Sequence, residues 1–389
     1  MKKIIAISVM FALIAGAAFA DSSVGGTVEN FMYVFEGSTA DGAKAMMEGS
    51  NGHPGTPDGT TDWLSKKGPG QTGYIVIKGQ NDEGTFGGLV RANAYGGKYG
   101  WRNFAWWKPI PQLKLFLGSD GDGLFGTDPL VSWGYHQGRE GFIATHDWGF
   151  WRGIWMGNWD GYGLAISVYP TEGVELNLAL DPGDDPVLVS GVIPKGIQFN
   201  GSYVLQGTGK IFFTYKGAGF GNSGNINNED LKDNGAIALS FLVTALDGIQ
   251  IHPAFSTTLF DVKGTAKNPL NIGLAATYNS DAVNVKFRSA FILNGTSPSS
   301  AGAEGQQLIH VGIMPWFALD GLNVFISFDL VMKTAAKGAE AQTSFELAPY
   351  VRVPAGGGLF QAGLKIQNDG AKPKATTTYS VPVAFVYSF

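Results

Sequence analysis

The sequence predicts an all-β protein, a transmembrane antiparallel β-barrel of about 18 strands, with about 16 as the alternative count. Three observations point there. Apolar residues recur at every second position in one stretch after another. Tight turns alternate with longer polar loops. An export-type N-terminus is followed by no segment of 18 uncharged apolar residues, so a chain bound for the envelope has no helix to span it and is left with strands.

The alternation is clearest in Thr377 to Phe389. Tyr379, Val381, Val383, Phe385, Tyr387 and Phe389 fall on one face, with Thr378, Ser380, Ala384 and Ser388 among those opposite. A soluble chain would leave such an end to fray. With a final Phe389 and aromatics Tyr387 and Phe385 at the third and fifth places from the end, the stretch resembles the terminal strand of bacterial outer-membrane β-barrels of the porin family. The resemblance implies that this strand closes the barrel, that the insertion machinery reads it, and that the protein resides in the outer membrane.

The N-terminus agrees. Lys2 and Lys3 precede an apolar run from Ile4 to Ala18, and Ala18-Phe19-Ala20 is a small-x-small site, so residues 1–20 read as a cleaved secretory signal and 21–389 as the barrel. Cleavage removes two of 27 basic residues, leaving 25 against 32 acidic ones, a net charge of −7. A mildly acidic chain gives no reason to expect nucleic acid. It contains no cysteine, which excludes disulfides and thiolate metal sites. Mean hydropathy near zero, with 57 glycines and 13% aromatics, suits alternating outer and inner faces.

In chain order, 24–35 alternates poorly and is the weakest strand. Residues 36–70 read as a long external loop with a short helix around Gly42–Met47. Strands are expected at 71–79, 85–95, 101–108 and 112–118, with Pro109-Ile110-Pro111 turning between the last two. Residues 119–160 form a second long loop, rich in Gly and Trp. Beyond it the pattern is regular. Leu164, Ile166 and Val168 run into Pro170-Thr171-Glu172-Gly173, and Val174, Leu176, Leu178 and Leu180 run out. Tight turns at Gly207-Thr208-Gly209, Asp247-Gly248, Asn279-Ser280-Asp281, Asp320-Gly321 and Ala355–Gly358 separate further strands. Polar loops at 182–196, 218–234, 294–305 and 368–376 alternate with them. Short periplasmic turns and longer external loops are the asymmetry of an outer-membrane barrel, with both termini on the periplasmic side. Pro253, Pro315, Pro349 and Pro382 fall inside strands and call for bulges or strand ends.

Alternation also sorts the charges. In 322–333, Asp329 and Lys333 oppose Val324, Ile326, Phe328 and Leu330; in 283–293, Lys286 and Arg288 oppose Val285, Phe287 and Phe291; in 341–353, Glu346 and Arg352 oppose Phe345, Leu347 and Val351. A Lys or Arg facing lipid at mid-depth costs about 2–4 kcal/mol, so the charged face belongs to a water-filled lumen. Adding Arg91, Lys114, Glu175, Lys216 and Lys365 gives a pore wall with a basic excess, which predicts anion preference unless the charges pair across the wall.

Among the tryptophans, Trp106 and Trp107 read as interfacial girdle residues. Trp148, Trp151 and Trp155 are candidates for a constricting or solute-stacking loop. The histidines show no metal spacing, and His310 faces inward, against an outer-wall esterase site. The expected function is therefore non-enzymatic and needs no cofactor: passive diffusion of small hydrophilic solutes, with outer-membrane lipid as partner. Porins of this size are often trimers, which makes a homotrimer a candidate assembly by analogy of fold; the sequence itself does not give the oligomeric state. The alternatives are a transporter for hydrophobic substrates similar to the long-chain fatty-acid family, which would need a plug from Asp21 to Gly70, and a non-channel surface barrel or adhesin.

Overall fold

Tight turns set the register of the hairpins. At Asp320-Gly321 both residues have positive φ, 47° and 83°. That twist matches the twist of paired strands, and Leu319 faces Leu322 across the turn. In this computed structural model the described residues are 21–39, 42–44, 48–49, 70–95, 98–119, 162–180, 197–216, 236–259, 264, 266–295, 302–370 and 374–388.

They form eighteen antiparallel staves. The first nine are β1 (Asp21–Ser38), β2 (Gly70–Gln80), β3 (Phe86–Tyr95), β4 (Lys98–Ile110), β5 (Leu113–Ser119), β6 (Tyr162–Val168), β7 (Val174–Leu180), β8 (Ile197–Leu205) and β9 (Gly209–Lys216). The second nine are β10 (Ala236–Leu246), β11 (Ile249–Thr258), β12 (Leu270–Asn279), β13 (Asn284–Leu293), β14 (Gln307–Leu319), β15 (Leu322–Thr334), β16 (Gln342–Ala355), β17 (Gly358–Gly363 with Lys365–Asn368) and β18 (Thr377–Ser388). Each pairs with the next. The last, β18, pairs with β1 from Thr27↔Ser388 to Ser38↔Thr378, which closes the sheet. The expected strands are all present, and closure leaves no edge to aggregate.

The first strand is longer than its sequence suggests. A register shift between Tyr33 and Phe35 interrupts its pairing with β18 near the end of the strand. The helix expected around Gly42–Met47 is not found among the described residues. Gly42–Lys44 instead pairs with Glu36–Ser38, and Glu48–Gly49 pairs with Met32 and Tyr33. Beyond the barrel, Ala266–Lys267 pairs with Gly302–Ala303 at the end opposite the tight turns. Residues 1–20, most of the 36–70 loop and 120–160 lie outside the described residues.

Pro109 and Ile110, expected in a turn, end β4 instead, and the turn is Pro111-Gln112. Pro253, Pro315, Pro349 and Pro382, the four prolines that the sequence places inside strands, have a common explanation. Proline has no N–H, so a ladder is weakened on the side to which that N–H would point. On that side the pairing is interrupted each time: at Pro253 toward β10, at Pro315 toward β15, at Pro349 toward β17 and at Pro382 toward β17. Pro382 also lies next to the bulge in β1. The break dividing β17 falls at Leu364, whose N–H donates to the Pro349 carbonyl at 2.9 Å while no N–H returns. Pro349→Ala is expected to add that bond and stabilise the barrel by about 1 kcal/mol in urea titrations.

Burial is inverted relative to a soluble protein. Phe213, Leu239, Phe255, Ile272, Ile313, Ile326 and Phe345 are exposed on the outside. Gln198, Asn200, Ser240, Ser256, Asn271 and Ser327 are buried on the inside. At this strand number closure leaves an interior too wide for wall side chains to fill.

Candidate pore wall

The inner face is built by alternation, and long side chains lie along it over short ones. At mid-wall the ladders place His252, Ala275, Arg288, Gly312, Asp329 and Glu346 side by side on β11 to β16. Arg288 Nη2 donates to Asp329 Oδ1 at 2.6 Å, passing over Gly312 on the strand between them. His310 Nε2 lies 2.8 Å from the same oxygen. On the far side Lys365 Nζ is 3.2 Å from Glu346 Oε2. Asp329 and Glu346 are direct cross-strand neighbours. Two carboxylates so placed repel, and a cation on each flank, one from β13 and one from β17, offsets this. The sequence puts all four on one face, and the register makes them two ion pairs.

Nearer the tight turns is a basic collar resting on aromatic rings. Lys108 and Lys114 lie 5.5 and 4.8 Å from the Trp106 ring centroid, and Lys114 lies 4.4 Å from that of Phe116. Lys210 sits 4.9 Å over Phe212, Lys286 5.4 Å over Trp316, and the Arg352 guanidinium 4.7 Å over Phe325. Such cation–ring contacts hold flexible basic side chains in place. Beneath them the Trp316, Phe325 and Tyr350 rings form a ribbon, with Phe325 and Tyr350 stacked at 4.6 Å and 1° between planes. Arg352 Nε also donates to Gln361 Oε1 at 3.1 Å. Outside the collar the turns carry Asp82, Glu83, Glu172, Asp247, Asp281 and Asp320.

Of the residues selected from the sequence, Arg91, Arg288, Asp329, Glu346 and Lys365 are buried on the inner face, and Lys114, Glu175, Lys286, Lys333 and Arg352 are half-buried on it. Glu175 is one of the charged neighbours of Lys114, with Lys108 and Lys78. Lys216 ends β9 at a register position opposite Gln198 and Ala236. Phe385 and Tyr387 face outward on β18, whereas Phe389 and the loop candidates Trp148, Trp151 and Trp155 lie outside the described residues. Trp106 corrects an expectation. Adjacent strand residues point to opposite faces, so only one of the pair can belong to an outer girdle. Trp107 is exposed outside, and Trp106 is buried inside against Phe116, Ala165 and Ala179. The collar members Lys108 and Lys210 were overlooked in the sequence, although each shares parity with an inward ring, Trp106 and Phe212.

No protein-family model matches the chain, and no curated protein sequence matches it. Solved outer-membrane porins are similar in fold. They include OpdQ of Pseudomonas aeruginosa, at TM-score 0.54 and 10% identity over 95% of this chain and 98% of that one. OpdO of the same organism has TM-score 0.54 and 11% identity over 95% and 98%. OccAB4 of Acinetobacter baumannii has TM-score 0.53 and 11% identity over 95% and 99%. The chain thus has the fold of a transmembrane, porin-type antiparallel β-barrel.

Proposed function

We propose that the protein is a bacterial outer-membrane porin, a water-filled channel for passive diffusion of small hydrophilic solutes that favours anions. One observation carries this reading: a closed eighteen-stave barrel with apolar side chains outside and charged and amide side chains inside. In hydrocarbon the outer face is the solvated one, and the inner face requires water. The basic collar supports the anion preference, because fixed charge near a pore mouth biases which ions enter. The two ion pairs at mid-wall each join one cation to one carboxylate and leave that balance to the collar.

On this reading residues 1–20 are removed on export, the tight turns face the periplasm, and lipid covers the outer wall. Phe385, Tyr387 and Phe389 present the closing strand to the insertion machinery, and a homotrimer is a candidate assembly. The barrel acts as a channel and not as an enzyme. Asp21–Ser38 is a wall stave, which removes it from the material a plugged transporter of hydrophobic substrates would use.

Purified protein in planar bilayers is expected to give discrete ohmic steps. In a KCl gradient the reversal potential should have the sign of chloride preference. No conductance would reject the channel, and a cation-signed potential would reject the collar's role.

A further inference from the structure

We propose that Gly312 is a specificity-determining position, because its missing side chain lets Arg288 lie flat across β14 and keep its charge on Asp329 instead of in the lumen. The inference rests on the channel reading and names the wall residue that sets how much positive charge permeating ions meet.

The geometry is specific to this residue. Gly312 is the register partner of Arg288 on one side and of Asp329 on the other, so the ion pair crosses an entire strand. A Cβ at Gly312 would lie 2.5 Å from Asp329 Oδ1, 2.8 Å from Arg288 Nε and 3.1 Å from Arg288 Cγ. Alanine therefore occupies the space through which the pair is made. All three atoms belong to side chains, so the conflict is relieved by moving Arg288 and Asp329 and not the strands.

The ways out differ for the two. Asp329 is also bonded to His310 Nε2 and is held at the wall. Arg288 has Ala275 beside it on β12 and Ala290 along its own strand, and Lys286 on the other side repels it. The exit left to its long side chain is away from the wall, toward the barrel axis. In the native wall the pair presents little net field. With alanine at 312 the guanidinium stands in the path of permeating ions and Asp329 stays behind.

Two measurements separate the clasp from the channel. In protein refolded in detergent, Arg288 should be protected from phenylglyoxal, read by peptide mass spectrometry, and Gly312→Ala should remove that protection. In planar bilayers Gly312→Ala should raise the anion-to-cation permeability ratio about twofold, the effect of one unit charge about 8 Å away in water, and should lower single-channel conductance. Asp329→Asn should shift the ratio in the same direction, and Gly312→Ala added to it should change the ratio little further, since both release the same arginine. Unchanged phenylglyoxal protection in Gly312→Ala would overturn the clasp. Exposed Arg288 with an unchanged ratio would overturn its role in selectivity. Wild-type protein that fails to conduct while Arg288 is protected and released as described would reject the porin reading and leave the clasp standing.

Discussion

Lys365→Met is expected to destabilise the barrel by about 3–5 kcal/mol, because it removes the cation from a carboxylate that has almost no contact with solvent. Glu346 is 1% exposed and Lys365 2%. Worse for the variant, Glu346 directly opposes Asp329, so the charge left behind faces a second one across the ladder. Adding Glu346→Gln to Lys365→Met should restore most of the loss, since replacing a buried pair with neutral groups of similar size is often close to neutral. Urea unfolding of the refolded protein, followed by tryptophan fluorescence, measures both. A loss in the single variant below about 1 kcal/mol would place the pair in full contact with water, the range of exposed ion pairs.

Ile313→Arg is the second large effect, expected at about 2–4 kcal/mol. Ile313 sits near the middle of β14 on the outer face and is 42% exposed, with Phe328 and Phe287 as its cross-strand neighbours. In a soluble protein an arginine at so exposed a position would cost little. In hydrocarbon it is stranded at mid-depth, beyond easy reach of either interface. Unfolding in lipid vesicles measures the cost, with Ile313→Ala, which keeps the site apolar, as the comparison. Equal stability of the two variants would mean that this face meets water, and the assignment of outside to lipid would fail.

The strands and the facing of their charges were legible in the sequence because both are local. A period of two is written into each strand without reference to its neighbours, so Asp329, Glu346 and Arg288 could be put on one face from the sequence alone. Where the local rule breaks, a strand's own pattern no longer identifies its faces. In β1 the stretch Val24-Gly-Gly-Thr-Val-Glu-Asn-Phe-Met-Tyr33 carries little alternation of its own, and its pairing with β2 and β18 is what makes it a strand. In the run Trp106-Trp107, two like residues suggested one role, although adjacent residues cannot share a face. Lys108 and Lys210 obey the same parity rule, each lying two residues from an inward aromatic, Trp106 and Phe212.

Taken alone, the sequence determined that this chain is made of one-sided strands joined by tight turns, that they number about eighteen, and that their polar faces carry a basic excess. The tertiary structure alone decided which charges meet. Arg288 and Asp329 are 41 residues apart, and their ion pair exists because β13, β14 and β15 are aligned in one particular register with a glycine at the crossing point. Register is a relation between strands, fixed by turn geometry and by the fit of whole ladders. No single strand's pattern contains it.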